Sequence, residues 1–206
     1  AFGAGNYREV GLVALRGLCT SFFILVPTNI LLFTAMGPML DALGQDTIAA
    51  QYAWEFYIIY GWSLPFYAVW CVVWKFLSAQ AILMPLVVIT LLASFFVLPI
   101  SLAILGTSFG FLGSAAALVL FYAFEAVAIL WYLYTYQPHH PETWPSTFTW
   151  KEVLQVPAYY NFLRLGAGGM MASLEWVYWE AVALVVGLLG IVPLSVHTVP
   201  TQMTYV

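Results

Sequence analysis

A chain of 206 residues that is 64% hydrophobic, 18% aromatic and only 7% charged is written for a lipid solvent. Soluble domains run about 45–50% apolar and about 25% charged. The net charge of −4 comes from five basic and nine acidic residues spread thinly, and without a basic patch nucleic acid is not an expected partner. Cys19 and Cys71 both lie in apolar stretches and read as small packed hydrophobes, with neither a disulfide nor a metal spacing. The chain starts Ala-Phe-Gly and stops in mid-pattern at Met203-Thr204-Tyr205-Val206, so it reads as an internal piece of a longer protein.

In chain order, residues 1–10 read as a loop. The first span runs from Gly11 to Pro38, with Arg16 near its start and a predicted kink at Pro27, since a bilayer core takes about 20 helical residues. Asp41 to Asp46 is a polar break. The second span, about Ala50 to Trp74, contains Glu55 and is interrupted by Pro65; Lys75 closes it, and Ser78-Ala79-Gln80 reads as a turn. The third span, about Ile82 to Leu105, carries Pro85 and Pro99 and no charge. Gly106 to Gly113 reads as a short turn between antiparallel neighbours. The fourth span, about Ser114 to Tyr136, holds Glu125 and ends in Trp131, Tyr132, Tyr134 and Tyr136, an aromatic cluster suited to a membrane interface. Residues 137–160 form a proline-punctuated polar linker with a short surface helix around Trp150–Gln155. A fifth span follows from Leu165 to Val192, opened by Gly166, Gly168 and Gly169, and a sixth begins after Pro193.

The basic residues check this count. With loops alternating sides, Arg8, Arg16, Lys75, Lys151 and Arg164 all fall on one side, which the positive-inside rule assigns to the cytoplasm. The fold class is therefore an all-α polytopic bundle of about five complete spans plus the start of a sixth.

The stretch with chemical content is Leu174-Glu175-Trp176-Val177-Tyr178-Trp179-Glu180. A carboxylate in hydrocarbon costs about 2.5–3.5 kcal/mol on insertion scales and is rarely kept without use. Five helical residues turn Glu180 about 140° from Glu175. Each acid instead has an aromatic plane at i+4 spacing: Glu175 with Trp179, Trp176 with Glu180. Desolvation favours a held proton on such an acid, and aromatic faces attract organic cations, which suits a seat where proton and cationic solute compete. The alternative is that one Glu satisfies a neighbouring helix and the other snorkels to an interface. Glu125 either lines a cavity or pairs with a hydroxyl on a neighbouring span, and Glu55 reads as interfacial. His139-His140 have no carboxylate or Cys pattern beside them and read as a solvated loop. No His/Asp/Glu cluster stands at metal or triad spacing, so neither an enzyme nor a cofactor is expected.

These residues resemble the multidrug and toxic compound extrusion (MATE) transporters, in particular the eukaryotic branch. Ala1-Phe2-Gly3-Ala4-Gly5 is similar to the end of the family's motif after the second helix. Phe76-Leu77-Ser78-Ala79-Gln80 with Pro85 is similar to the fourth-to-fifth helix junction, and Gly110 to Ala116 to the turn into the sixth. Phe162-Leu163-Arg164-Leu165, then Glu175-Trp176 and Glu180, resemble the seventh helix. The resemblance implies helices three to seven and the start of eight in a twelve-helix, two-lobe protein. Residues 1–137 would belong to the first lobe, 138–160 to the cytoplasmic inter-lobe linker and 161–206 to the second lobe. It implies an antiporter, a monomer when full length, that exports organic cations, drugs or amphipathic metabolites across a plasma or vacuolar membrane against a coupling ion, H+. Glu175, Trp176, Trp179 and Glu180 would carry substrate and proton. Two departures stand out. Gln202, with Thr201 beside it, replaces an acidic residue of the eighth helix, which shifts coupling onto Glu175 and Glu180, and the glycine stretch replaces a proline opening the seventh. Glu125 and Gln202 are additional candidate positions. The alternative functions are a lipid-linked flippase of the wider superfamily, which would want basic cavity residues, and a fragment that transports nothing because it cannot enclose a cavity.

Overall fold

The computed structural model describes residues 2–144 and 149–204, without the side chains of Ala172, Trp176 and residues 200–204. Every regular element among the described residues is helical. Asn6 caps α1 (Tyr7–Ala42) by accepting the Glu9 N–H at 3.3 Å, and Asp46 caps α2 (Thr47–Tyr60) by accepting the N–H groups of Ile48 and Ala49, both at 3.0 Å. The expected loop over residues 1–10 is thus helical from Tyr7, and the first polar break shrinks to residues 43–46. Asp41 stays helical while Asp46 starts the next helix.

Prolines set the remaining starts. Pro65, Pro85, Pro99 and Pro157 lie in the first turn of α3 (Leu64–Ser78), α4 (Met84–Leu92), α5 (Leu98–Phe109) and α8 (Val156–Ala172), where a missing N–H costs no helical bond. Between α2 and α3 the chain tightens into a 3-10 turn, Gly61–Ser63, and between α4 and α5 it widens into a π turn, Ala93–Val97, two devices that absorb a broken ladder. Pro27 and Pro38 lie inside α1, whose helical run continues through both.

Pro65 cannot donate to the Gly61 carbonyl one turn earlier. That carbonyl accepts the Leu64 N–H instead, and a second bond at 3.3 Å from the buried Asn29 amide of α1. The Tyr57 hydroxyl in turn donates to Asn29 Oδ1. A proline break in one crossing is thereby satisfied by a neighbouring helix.

The expected Gly106–Gly113 turn reduces to Gly110 alone, at φ +60° and ψ −132°. This backbone is open only to glycine, so one residue reverses the chain into α6 (Phe111–Tyr136). A Cβ on Gly113 would strike the Leu105 carbonyl, so α5 and α6 pack backbone to backbone.

Among the described residues four helical stretches are long and apolar enough to cross a membrane: Tyr7–Ala42, Thr47–Ser78, Met84–Phe109 and Phe111–Tyr136. α6 lies between α2–α3 on one side and α4–α5 on the other, and α1 packs against α2 and α3. Their core, with Leu77 and Ile129 wholly buried among Val10, Trp70, Phe76 and Leu86, gathers where α1, α3, α4 and α6 meet. The outward surface is apolar, with Phe23, Phe95 and Tyr134 fully presented, as lipid-facing helices require.

The predicted fifth span is displaced and divided. The stretch before α8 ends at Gln155, and the expected surface helix, α7, is only Trp150–Val153. α8 begins at Val156 and carries Gly166, Gly168 and Gly169 in its interior, not at its opening. At Ser173 (φ −94°, ψ 4°) the helix breaks, and α9 (Leu174–Gly187) follows. After Gly190 at φ +110°, α10 (Ile191–Thr204) takes in Pro193 in its first turn. Three glycines near its C-terminal end deprive α8 of helix propensity. Ser173 ends it with its backbone N–H on the Met170 and Met171 carbonyls and its hydroxyl on Gly169.

Candidate functional site

α9 carries the acid–aromatic stretch. Glu175 stands in its first turn, where a carboxylate complements the unpaired N–H groups of a helix start. The Ser173 break therefore delivers those N–H groups midway along a 32-residue stretch from Val156 to Gly187. Glu175, Tyr178 and Glu180 are exposed, and Trp179 is 41% exposed with its ring edge-on to Tyr178, centroids 5.5 Å apart. The structure brings Glu175 and Glu180 onto one short helix without an enclosing wall among the described residues. The side chains of Trp176 and Gln202 lie outside the described residues.

α9 is tied to the bundle at its far end. Gln45, in the α1–α2 loop, donates to the Leu184 carbonyl at 2.9 Å, and Gly187 lies so close to the Gln45 side chain that a Cβ would collide with it. α8 starts beside α1 at Thr20–Tyr159 and α9 ends beside the α1–α2 loop at Gln45; neither helix reaches membrane-crossing length as the expected continuous fifth span would.

Glu125, in α6, is 2% exposed and faces α3 and α4. Of the two readings open for it, the structure favours the hydroxyl partner, Thr90 of α4. Cys71, Tyr67 and Tyr122 complete its polar surroundings. Glu55 is half-buried and accepts from Gln51 at 2.9 Å. Cys19 and Cys71 are free thiols.

Sequence reasoning missed a polar seam at the opposite end from Gln45. Arg16 is 2% exposed; its Nε donates to the Val153 carbonyl at 3.0 Å, Nη2 to the Glu152 carbonyl at 3.2 Å, and Nη1 to Glu9. Arg8 pairs with the Glu152 carboxylate, and Thr20 with the Tyr159 hydroxyl at 2.6 Å. Gln80 Oε1 accepts the His140 N–H at 2.9 Å, Tyr7 stacks on His140 with centroids 4.2 Å apart, and His139 lies between Phe76 and Trp144. His139 is thus partly packed, whereas His140 is exposed, as expected, with one face on Tyr7. A charge one turn inside an apolar span is the signal in the sequence that points to this seam.

Two cavities lie away from Glu175 and Glu180. One of about 550 Å³ runs between α1, α3 and α6 under the linker, lined by Leu18, Val72, Leu130, His139 and Trp144. Another of about 1010 Å³ is an open apolar groove between α4–α5 and α6, with Val88, Leu92, Phe124 and Trp131 on its walls.

The fold has close counterparts. The crystal structure of the eukaryotic MATE transporter AtDTX14 superposes with a TM-score of 0.79 at 26% identity, over 95% of this chain and 44% of that one. Two Arabidopsis thaliana proteins are similar in sequence: DETOXIFICATION 38, 30% identical across 99% of this chain, and DETOXIFICATION 8, 27% identical across 92%. The chain spans about two fifths of the length of these relatives, 40% and 38% respectively. The MatE family model matches residues 1–105, which covers α1 to α5 and the turns that Pro65, Pro85 and Pro99 organise. With the four apolar crossings and the shared fold, that match settles the family: the chain belongs to the MatE family and is part of a multi-pass membrane protein.

Proposed function

We propose that the full-length protein to which this chain contributes is an efflux antiporter exchanging protons for organic cations or amphipathic metabolites at a plasma or vacuolar membrane. The observation that carries the reading is the pair Glu175 and Glu180 on one apolar helix of a MatE-family chain. Trp176 and Trp179 supply flat faces for a cation, an attraction worth about 0.5–2 kcal/mol. Antiport needs a seat whose affinity for cargo falls when it is protonated, together with two arrangements of the surrounding helices. Glu125 and Gln202 are secondary positions in this reading. In the same proposal residues 1–137 belong to the first lobe, 138–160 to the linker and 161–206 to the second. The bundle of α1 to α6, closing at Gln137 in a left-handed cap at φ +43°, supports the first boundary.

The test is uptake of a fluorescent organic cation by proteoliposomes of the full-length protein under an imposed pH gradient. Glu175→Gln is expected to cut proton-driven flux about tenfold or more, equivalent to roughly 1.4 kcal/mol of lost interaction. Flux at the normal rate in that variant removes Glu175 from the mechanism.

A further inference from the structure

Ser63, Tyr67, Cys71 and Lys75 follow one another at four-residue spacing along α3 and the 3-10 turn that opens it, so they stand in one column on one helix face. α6 lies against that face, and the Tyr67 and Tyr122 rings meet edge to face with centroids 5.0 Å apart. The two helices run in the same direction. One turn beyond the ring pair, the column presents Cys71 and α6 presents Glu125, which are electrostatic neighbours.

No Lys, Arg or His bridges to Glu125 among the described residues. From α4 it meets the Thr90 hydroxyl, and the whole stretch Met84–Phe109, through the π turn and α5, has no titratable side chain. From α2 comes Tyr60, an electrostatic neighbour of Tyr67 and Tyr122, and Lys75 stands one turn past Cys71. At the head of the column Ser63 is wholly buried, and its Oγ has no hydrogen-bond partner among the described residues. Interiors rarely leave a polar atom unmatched, so this column holds more polar groups than packing uses. On its other flank Cys71 opens to a cavity of about 460 Å³ between α1, α3 and α8, with Val10, Gly17, Lys75 and Phe162 on its walls. Lys75 marks the end that the basic residues assign to the cytoplasm. Glu125 lines neither this cavity nor the two described above.

We propose that Glu125 is a proton-binding site inside the α1–α6 bundle, filled and emptied from the cytoplasmic end past Lys75 and Cys71, and closed to organic cations. A carboxyl with neither water nor a cation beside it rests as the neutral acid. A hydronium in the cavity gives its proton to Cys71 Sγ and is left as water, while the S–H proton passes to the Glu125 carboxylate. The thiol is unchanged, since it both donates and accepts, and the reverse order empties the site. Glu175 and Glu180 are exposed, so this site is of a different kind. It stands whether or not the antiport reading does; only a share in coupling rests on that reading.

Infrared difference spectroscopy of the full-length protein in nanodiscs reads the site. A protonated-carboxyl C=O stretch present in the wild type at neutral pH is expected to vanish in Glu125→Gln. Thr90→Val, which removes the neighbouring hydroxyl, should keep the band and move it. Tetraphenylphosphonium, an organic cation, should leave it unchanged. The band also moves when its proton is replaced by a deuteron, so mixing with heavy water reports access. That replacement is expected to be at least about tenfold slower in Cys71→Ala, restored in Cys71→Ser and unaltered in Cys19→Ala. A wild type without the band, or a folded Glu125→Gln that retains it in full, overturns the site. If Glu125→Gln fails to fold, a band unmoved by Thr90→Val overturns it instead. Equal deuteron entry in Cys71→Ala and wild type overturns the route, and loss of the band on adding tetraphenylphosphonium overturns the closure. A protein that shows this spectrum yet carries no proton-driven flux in proteoliposomes keeps the site and loses the antiport reading.

Discussion

His139 lies half-buried between the rings of Phe76 and Trp144, with its Nδ1 buried and no hydrogen-bond partner among the described residues. Burial pushes its imidazole below the ordinary histidine value. The docked linker therefore binds this proton less readily than the undocked one. Docking is strengthened as pH rises through the window between the lowered value and about 6.5, and lost as pH falls through it. Protease susceptibility of residues 138–155 is expected to rise between pH 7.5 and pH 5.5 in the wild type and to stay flat in His139→Phe. An equal response in both would place the sensitivity elsewhere. Two fully buried ionisable side chains show the contrast between fastening and availability. Arg16 spends its donors on Glu9 and two carbonyls. Glu125 has Thr90 beside it, and no Lys or Arg bridges to it among the described residues. Buried charges without an ionic partner are expensive and mark functional positions more often than paired ones do.

Turns between the crossings are tighter than composition suggests, and α5–α6 is the extreme. One residue at positive φ reverses the chain, and Gly113 then faces the Leu105 carbonyl with no room for a Cβ. Gly113→Ala must push the two backbones apart, so it is expected to lower thermal stability in detergent by several degrees or more. Gly106→Ala, whose Cβ would meet open space, is expected to cost no more than about 1 kcal/mol. Equal effects would mean that α5 and α6 are not in backbone contact. The crossings themselves were readable, because hydropathy reports lipid exposure directly and Pro65 announced its break, whereas α1 runs on through Pro27, where a kink was expected. Gly106 to Gly113 misled because glycines that permit close packing look in sequence like glycines that permit a turn. The break at Ser173 was hidden for the opposite reason: the run from Leu165 to Val192 is almost entirely apolar apart from Glu175 and Glu180, and hydropathy is blind to an interrupted ladder. The acid–aromatic stretch was legible as a set of residue types. The polar seam around Arg16 was not, since Arg16 meets Val153, 137 positions away.

At the scale of the molecule, the bundle of α1 to α6 buries its own core, whereas α9 is exposed at Glu175, Val177, Tyr178, Trp179 and Glu180. A helix with carboxylates on directions about 140° apart cannot face lipid on both without large cost. If the antiport reading is right, the longer protein must surround α9 with a water-filled space wide enough to reach both acids. Cysteine scanning of residues 174–187 in the full-length protein, probed with a membrane-impermeant maleimide, tests this directly. Labelling is expected at Glu175→Cys, Trp179→Cys and Glu180→Cys and to fall when an organic cation is added. Val177→Cys and Val185→Cys, on purely apolar positions, should label at least about tenfold more slowly, since a thiol in hydrocarbon is rarely the reactive thiolate. A scan in which 175 and 180 are as inert as 177 would leave both carboxylates in lipid. Proton and cargo would then have no common path to them.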